Sequence, residues 1–117
     1  MDVGSFRTYC LALKGVTEEF PFGEETLVFK VMGKMFALTD ITLFSGVNLK
    51  VDPEEGVELR ERYAEVTPAY HMNKKHWISV ETTGSIPDKL LRTWISNSYN
   101  LVVQGLTKSQ KQALESM

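Results

Sequence analysis

The sequence predicts an α+β fold: a two-layer α/β sandwich in which helices cover one face of an antiparallel five-stranded sheet. Three observations predict it. Runs rich in β-formers come as a group of three, within residues 26–51, and a group of two, within residues 66–82. The turns inside each group are too short for parallel crossovers, so neighbouring strands run antiparallel. Helical periodicity appears before, between and after the two groups. A chain of 117 residues is also too short to cover both faces of such a sheet, as a doubly wound fold would. The order is α-β(3)-α-β(2)-α with a short terminal helix, in one domain spanning residues 1–117.

In the first helix Val3, Phe6, Cys10 and Leu13 recur at spacings of 3, 4 and 3, one helical face. Asp2 suits its N-cap and Gly15 its C-terminal stop. The stretch from Val16 to Glu25 is punctuated by Pro21 and Gly23 and reads as a loop. Its aromatics, Phe20 and Phe22, are costly to leave in water, so at least one is expected to plug the sheet edge. Thr26 to Asp40 reads as a hairpin with its tip at Met32–Gly33–Lys34, and Leu43 to Val51 as the third strand. Asp52 and Pro53 then open a helix as N-cap and first residue, with Val57, Leu59 and Tyr63 on its apolar side. A second hairpin joins strands near 66–72 and 76–82 through Asn73–Lys74. The last long helix runs from Ser85 to Leu106, with Leu90, Leu91, Trp94, Ile95, Tyr99, Val102 and Val103 at helical period. Gly105 closes it, and Thr107 caps the terminal helix.

Alternation along the strands assigns faces. Leu27, Phe29, Val31, Leu43, Val47, Leu49, Val51, Val66, Tyr70, Ile78 and Val80 are expected toward the helices. Thr67, Ala69 and Phe44 belong to the opposite set. The strand from Lys34 is ambiguous, because Phe36/Leu38 and Met35/Ala37 are both apolar. The uncovered face then carries Lys30, Lys50, His71, Trp77 and Ser79, with Lys34, Lys74 and Lys75 at the hairpin tips.

Composition narrows the function. The net charge of −2 excludes a protein that is basic all over, yet the charge is uneven. Residues 1–25 and 53–65 each carry −3, whereas residues 66–92 carry +2. No apolar run approaches a membrane span, and the first residues lack the basic and apolar parts of a secretory leader. The single cysteine, Cys10, allows no internal disulfide, which fits a reducing cytoplasm. It sits on the buried helical stripe and reads as a small core hydrophobe. His71 and His76 fall on opposite strands of a hairpin without further ligands, so neither metal nor cofactor is expected. No GxSxG, P-loop or dinucleotide motif is present, so no enzyme is expected either.

Five stretches in register resemble the MmcQ/YjbR family of small bacterial proteins. They are Gly15–Gly23 (GVTEEFPFG), Val28–Ala37 (VFKVMGKMFA), Asn48–Glu54 (NLKVDPE), Tyr70–Trp77 (YHMNKKHW) and Ser98–Val102 (SYNLV). The resemblance implies an α-β(3)-α-β(2)-α two-layer fold, related to frataxin-like and secretion-chaperone-like folds. It also implies DNA binding through a double-wing arrangement.

Lys30, Lys34, Lys50, His71, Lys74, Lys75, His76 and Trp77 form the candidate nucleic-acid site, lysines for phosphates and an aromatic ring for stacking. Two other readings remain open. One is a protein-interaction or chaperone-like module anchored by Phe20, Phe22 and Trp77. The other is a small-anion pocket framed by Lys30, Lys50, His76 and Trp77.

Overall fold

The computed structural model describes residues 1–117. Four helices, α1 (Val3–Ala12), α2 (Pro53–Arg62), α3 (Asp88–Gln104) and α4 (Lys108–Glu115), accompany six strands. The strands are β1 (Val16–Glu19), β2 (Thr26–Val31), β3 (Lys34–Asp40), β4 (Gly46–Lys50), β5 (Val66–Pro68) and β6 (Trp77–Glu81). They form one antiparallel sheet in the order β1-β2-β3-β4-β6-β5. The α+β sandwich is as expected, with one strand more. Val16–Glu19, expected as loop, pairs along β2 from Val16↔Val31 to Glu19↔Val28. Its short sequence, half glutamate, hides the strand. It is legible only through its partner, since an edge strand needs one apolar side and tolerates charge on the other.

Local chemistry starts the elements where expected. The Asp2 carboxylate accepts from the Ser5 amide at 2.7 Å, and Asp52 caps α2 with Pro53 at its first position. Thr107 and Gln110 close a reciprocal capping box on α4. Met32 and Gly33 both take positive φ (50° and 78°), the geometry a two-residue hairpin turn demands. Gly15 is required on two counts. Its φ is +72°, and a Cβ there would lie 2.5 Å from Leu114 Cδ1, where α4 closes over the chain.

One core joins all four helices to one face of the sheet. Phe6, Leu59, Trp94, Ile95 and Leu114 pack with Leu27, Phe29, Val31, Leu49, Ile78 and Val80. Phe6 meets Phe29 edge to face at 5.5 Å between ring centres. The ambiguous strand is resolved by a β-bulge. Register runs from Phe29↔Ala37 to Lys30↔Met35, leaving Phe36 without a partner. Phe36 and Ala37 therefore both join the core, and alternation restarts with Leu38 on the other face.

Four sheet-face assignments and one helix-face assignment are corrected. Leu43 is 74% exposed and Tyr70 68%, because both lie beyond the strands, in loops. Phe44, at φ 41°, turns back to pack on Phe6, and Ala69 is buried. In α2 the inward stripe is Gly56, Leu59 and Tyr63, at spacings of 3 and 4, while Val57 is exposed. Val57 and Leu59 are two residues apart and cannot share a helical face.

Paired carboxylates fasten the outer layers. Arg7 of α1 donates Nε to Glu18 Oε2 of β1 at 2.6 Å and Nη2 to Glu18 Oε1. Glu65 Oε2 accepts from the Ser85 hydroxyl at 2.6 Å and the Ser85 amide at 3.1 Å. The Arg7 bond holds Glu18 below its ordinary pKa, and Ser85 does the same for Glu65. A carboxylate whose pKa is lower folded than unfolded stabilises the protein above the ordinary carboxylate range, and that contribution vanishes as pH falls through the folded value. The unfolding temperature is therefore expected to drop between about pH 5 and about pH 3. Glu18→Gln should start lower at neutral pH and fall less steeply, as a thermal melt series would show. Because the pair is surface-exposed, the difference should be modest.

Candidate nucleic-acid interface

Antiparallel register decides which loops share an end of the sheet. β2 and β4 rise as β3 and β6 descend, so Val31↔Lys34, Lys30↔Met35 and Lys50↔Trp77 lie at one end. Thr26↔Asp40 and Gly46↔Glu81 lie at the other. The segment from Ala69 to His76 joins β5 to β6 at the first end, where the Val51 amide donates to the His76 carbonyl at 2.8 Å. All eight candidate residues therefore gather at one end of the sheet.

They are not equivalent. Lys30 is mostly covered and pairs with Glu19 at 3.4 Å. Lys34 is exposed at the start of β3, and Lys50 half-buried at the end of β4. His71, Lys74, Lys75 and His76 are all exposed in the 69–76 segment. The two histidines were expected on opposite strands; neither lies in a strand, because β5 ends at Pro68 and β6 begins at Trp77. Asn73 shapes this segment, its side-chain carbonyl accepting from the Lys75 amide at 3.0 Å. The Lys74 ammonium stands 5.2 Å from the centre of the Tyr70 ring.

The face beside this basic end is not flat. A cleft of about 680 Å³ runs along it, floored by Met35, Leu38, Asn48 and Ser79 and walled by His71, Met72 and Trp77. Phe22 and Asp40 close it at the far end. The Ser79 hydroxyl donates to Asn48 Oδ1, and Asn48 Nδ2 donates to Met72 Sδ at 3.7 Å. These bonds tie the 69–76 segment down over β4. No lysine lines the cleft. Of the residues expected to frame an anion pocket, only Trp77 lines it, while Lys30, Lys50 and His76 do not.

Sequence reasoning placed Ser79 on this face but missed Met72, Phe22 and Asp40 as lining. The first two lie in loops, where alternation gives no direction. At least one of Phe20 and Phe22 was expected to plug the sheet edge, but both are exposed, at 47% and 65%. No three His, Cys, Asp or Glu side chains come together as metal ligands would. Cys10 is buried in the core, and that burial pushes its thiol far above the ordinary range, so it is no nucleophile. No helix is long and apolar enough to cross a membrane.

Comparison with known proteins places this geometry. The YjbR family model matches residues 11–101. The Escherichia coli O157:H7 uncharacterized protein YbdF is 47% identical over 90 residues, covering 76% of this chain and 74% of that one. The uncharacterized protein YjbR of Escherichia coli strain K12 is 29% identical over 115 residues, covering 97% and 98%. Among solved structures, Deinococcus radiodurans protein DR2400, with a DUF419 domain, superposes with a TM-score of 0.90 at 45% identity. That match covers 97% of this chain and 88% of the other. A protein from Pseudomonas syringae gives 0.74 at 29% identity over 86% and 98%.

Proposed function

This chain belongs to the YjbR family, and we propose that it is a non-enzymatic binding module that holds nucleic acid weakly, without sequence preference, at the basic end of its uncovered sheet face. The observation that carries this reading is the placement of Lys34, Lys50, Lys74 and Lys75 at the end of the sheet where Trp77 begins β6, with a cleft on the face beside it. Lysines supply phosphate contacts and a partly exposed indole supplies a stacking surface. Lysine–phosphate contacts and ring stacking read no base edges, which supports binding without sequence preference.

Part of the acidic charge lies away from this end. Of the acids of the sheet, Glu18 is paired with Arg7 and Glu19 with Lys30, while Asp40 and Glu81 sit one strand length away, roughly 13 Å along β4, which exceeds the screening length of about 8–10 Å in ordinary salt. The acids that open α2, Asp52, Glu54 and Glu55, follow Lys50 in the chain and belong to the helical layer, since Gly56 and Leu59 of that helix face the core. A buried, reduced Cys10 accords with a cytoplasmic setting.

The test is the salt dependence of a labelled oligonucleotide's anisotropy. With roughly 3–4 phosphate contacts, log K against log salt should have a slope of about −2 to −3 for a single strand. Scrambling the oligonucleotide should leave the curve unchanged. Absence of binding at low salt would remove nucleic acid as the ligand.

A further inference from the structure

The opposite end of the sheet carries different chemistry. Three of the six exposed large hydrophobic side chains lie there: Phe20 and Phe22 on the β1–β2 loop, and Leu43, 74% exposed, on the β3–β4 loop. The two loops are neighbours. The Ile41 amide donates to the Glu25 carbonyl at 2.9 Å, and Thr26 pairs with Asp40 where the strands begin and end. Asp40 Oδ1 also accepts from the amides of Thr42 and Leu43 at 2.8 and 3.0 Å, so the Leu43 turn is held and not trailing. Every charged residue on these loops and adjoining strand ends is an acid: Glu24, Glu25, Asp40 and Glu81, with Glu19 beside them paired to Lys30. No lysine or arginine occurs between Gly15 and Phe29 or between Met35 and Leu49.

We infer that this end is a docking surface for a basic protein segment with apolar anchors, leucine or phenylalanine flanked by lysine or arginine. The exposed rings and Leu43 need an apolar partner, because each aromatic ring removes roughly 150–250 Å² from water when covered. Uniform negative charge around them selects the partner's sign and would steer its approach. The same charge repels nucleic acid and anionic lipid. Phe22 also lines the cleft, so an anchor that docks against it is led toward Leu38, half the face away from the lysines. This inference concerns a different surface from the nucleic-acid reading and stands or falls separately from it.

The probe is a short blocked peptide with leucine and phenylalanine set between lysines, titrated into isotope-labelled full-length protein. Backbone amide shifts should concentrate at residues 19–25 and 40–46. Phe22→Ser combined with Leu43→Ser should weaken binding roughly tenfold or more. Both side chains are exposed, and the dispersion of the other resonances reports that the fold is intact. Lys74→Glu should leave the titration unchanged, and the same peptide with glutamate for lysine should not bind. The inference is overturned by an absence of shifts, by equal binding of the acidic peptide, or by shifts confined to the lysine end. It is also overturned if sedimentation shows self-association that the double variant abolishes, which would assign the surface to a second copy of this chain.

Discussion

Lys50→Glu together with Lys74→Glu should lower affinity for an oligonucleotide roughly ten- to a hundredfold at low salt. The arithmetic is electrostatic. Two unit charges about 4 Å apart in water attract by about 1 kcal/mol, and reversing one replaces that attraction with a similar repulsion. Screening by salt removes part of this, leaving roughly 1 kcal/mol per position, or five- to tenfold each. The slope of log K against log salt should also flatten, because fewer counterions are released. Neither substitution threatens the fold. Lys74 is exposed, with its ammonium over the Tyr70 ring, and the structural bond of Lys50 is made by its backbone amide. Lys108→Glu is the control. Lys108 opens α4 in the helical layer, where a negative charge at the first helical position suits the dipole. Equal loss from Lys108→Glu would mean that overall charge, and not the basic end, governs binding.

Much of this geometry is legible in the sequence. Period-two alternation placed Phe29, Leu49 and Ile78 in the core because both faces of their strands differ plainly in polarity. Alternation failed where its premise failed. The Phe36 bulge puts two consecutive apolar residues on one face, and no local pattern marks the extra residue. Tyr70 and Leu43 were assigned by counting past the true ends of β5 and β4, where the chain leaves the extended conformation. The basic end was legible as residues but not as a place. Lys30, Lys34, Lys50 and Lys74 are scattered over 45 positions, and only antiparallel register brings them to one end. The exposure of Phe20 and Phe22 ran against the ordinary cost of wetting aromatic rings. That cost is why their exposure points to a partner.

Ser98→Ala is expected to be among the most destabilising small substitutions in this chain, at about 2–3 kcal/mol. By sequence Ser98 is an ordinary serine in mid-helix. In the fold it is fully buried and closes the seam between two strands. The β3–β4 ladder stops at Ala37↔Leu49, because the bulge at Phe36 lifts the next pair apart. The Lys50 amide and the Phe36 carbonyl, which a continued ladder would have joined, both turn to Ser98 instead. Its hydroxyl accepts from the Lys50 amide at 2.8 Å and donates to the Phe36 carbonyl. Alanine removes both partners at once and leaves two backbone groups dry and unpaired, which costs more than losing one hydrogen bond that water could replace. The unfolding temperature should fall by roughly 10 °C. In urea the midpoint should shift while the slope stays constant, as expected for a change in the native state alone. Ser96→Ala is the comparison, since Ser96 makes a single part-buried bond to Tyr9 at 2.6 Å and should cost no more than about 1 kcal/mol. If the two serines cost the same, the seam is not held by Ser98. If Ser98→Ala is costly and also weakens oligonucleotide binding in the remaining folded protein, the hydroxyl that repairs the bulge also sets the strand end from which Lys50 reaches the ligand.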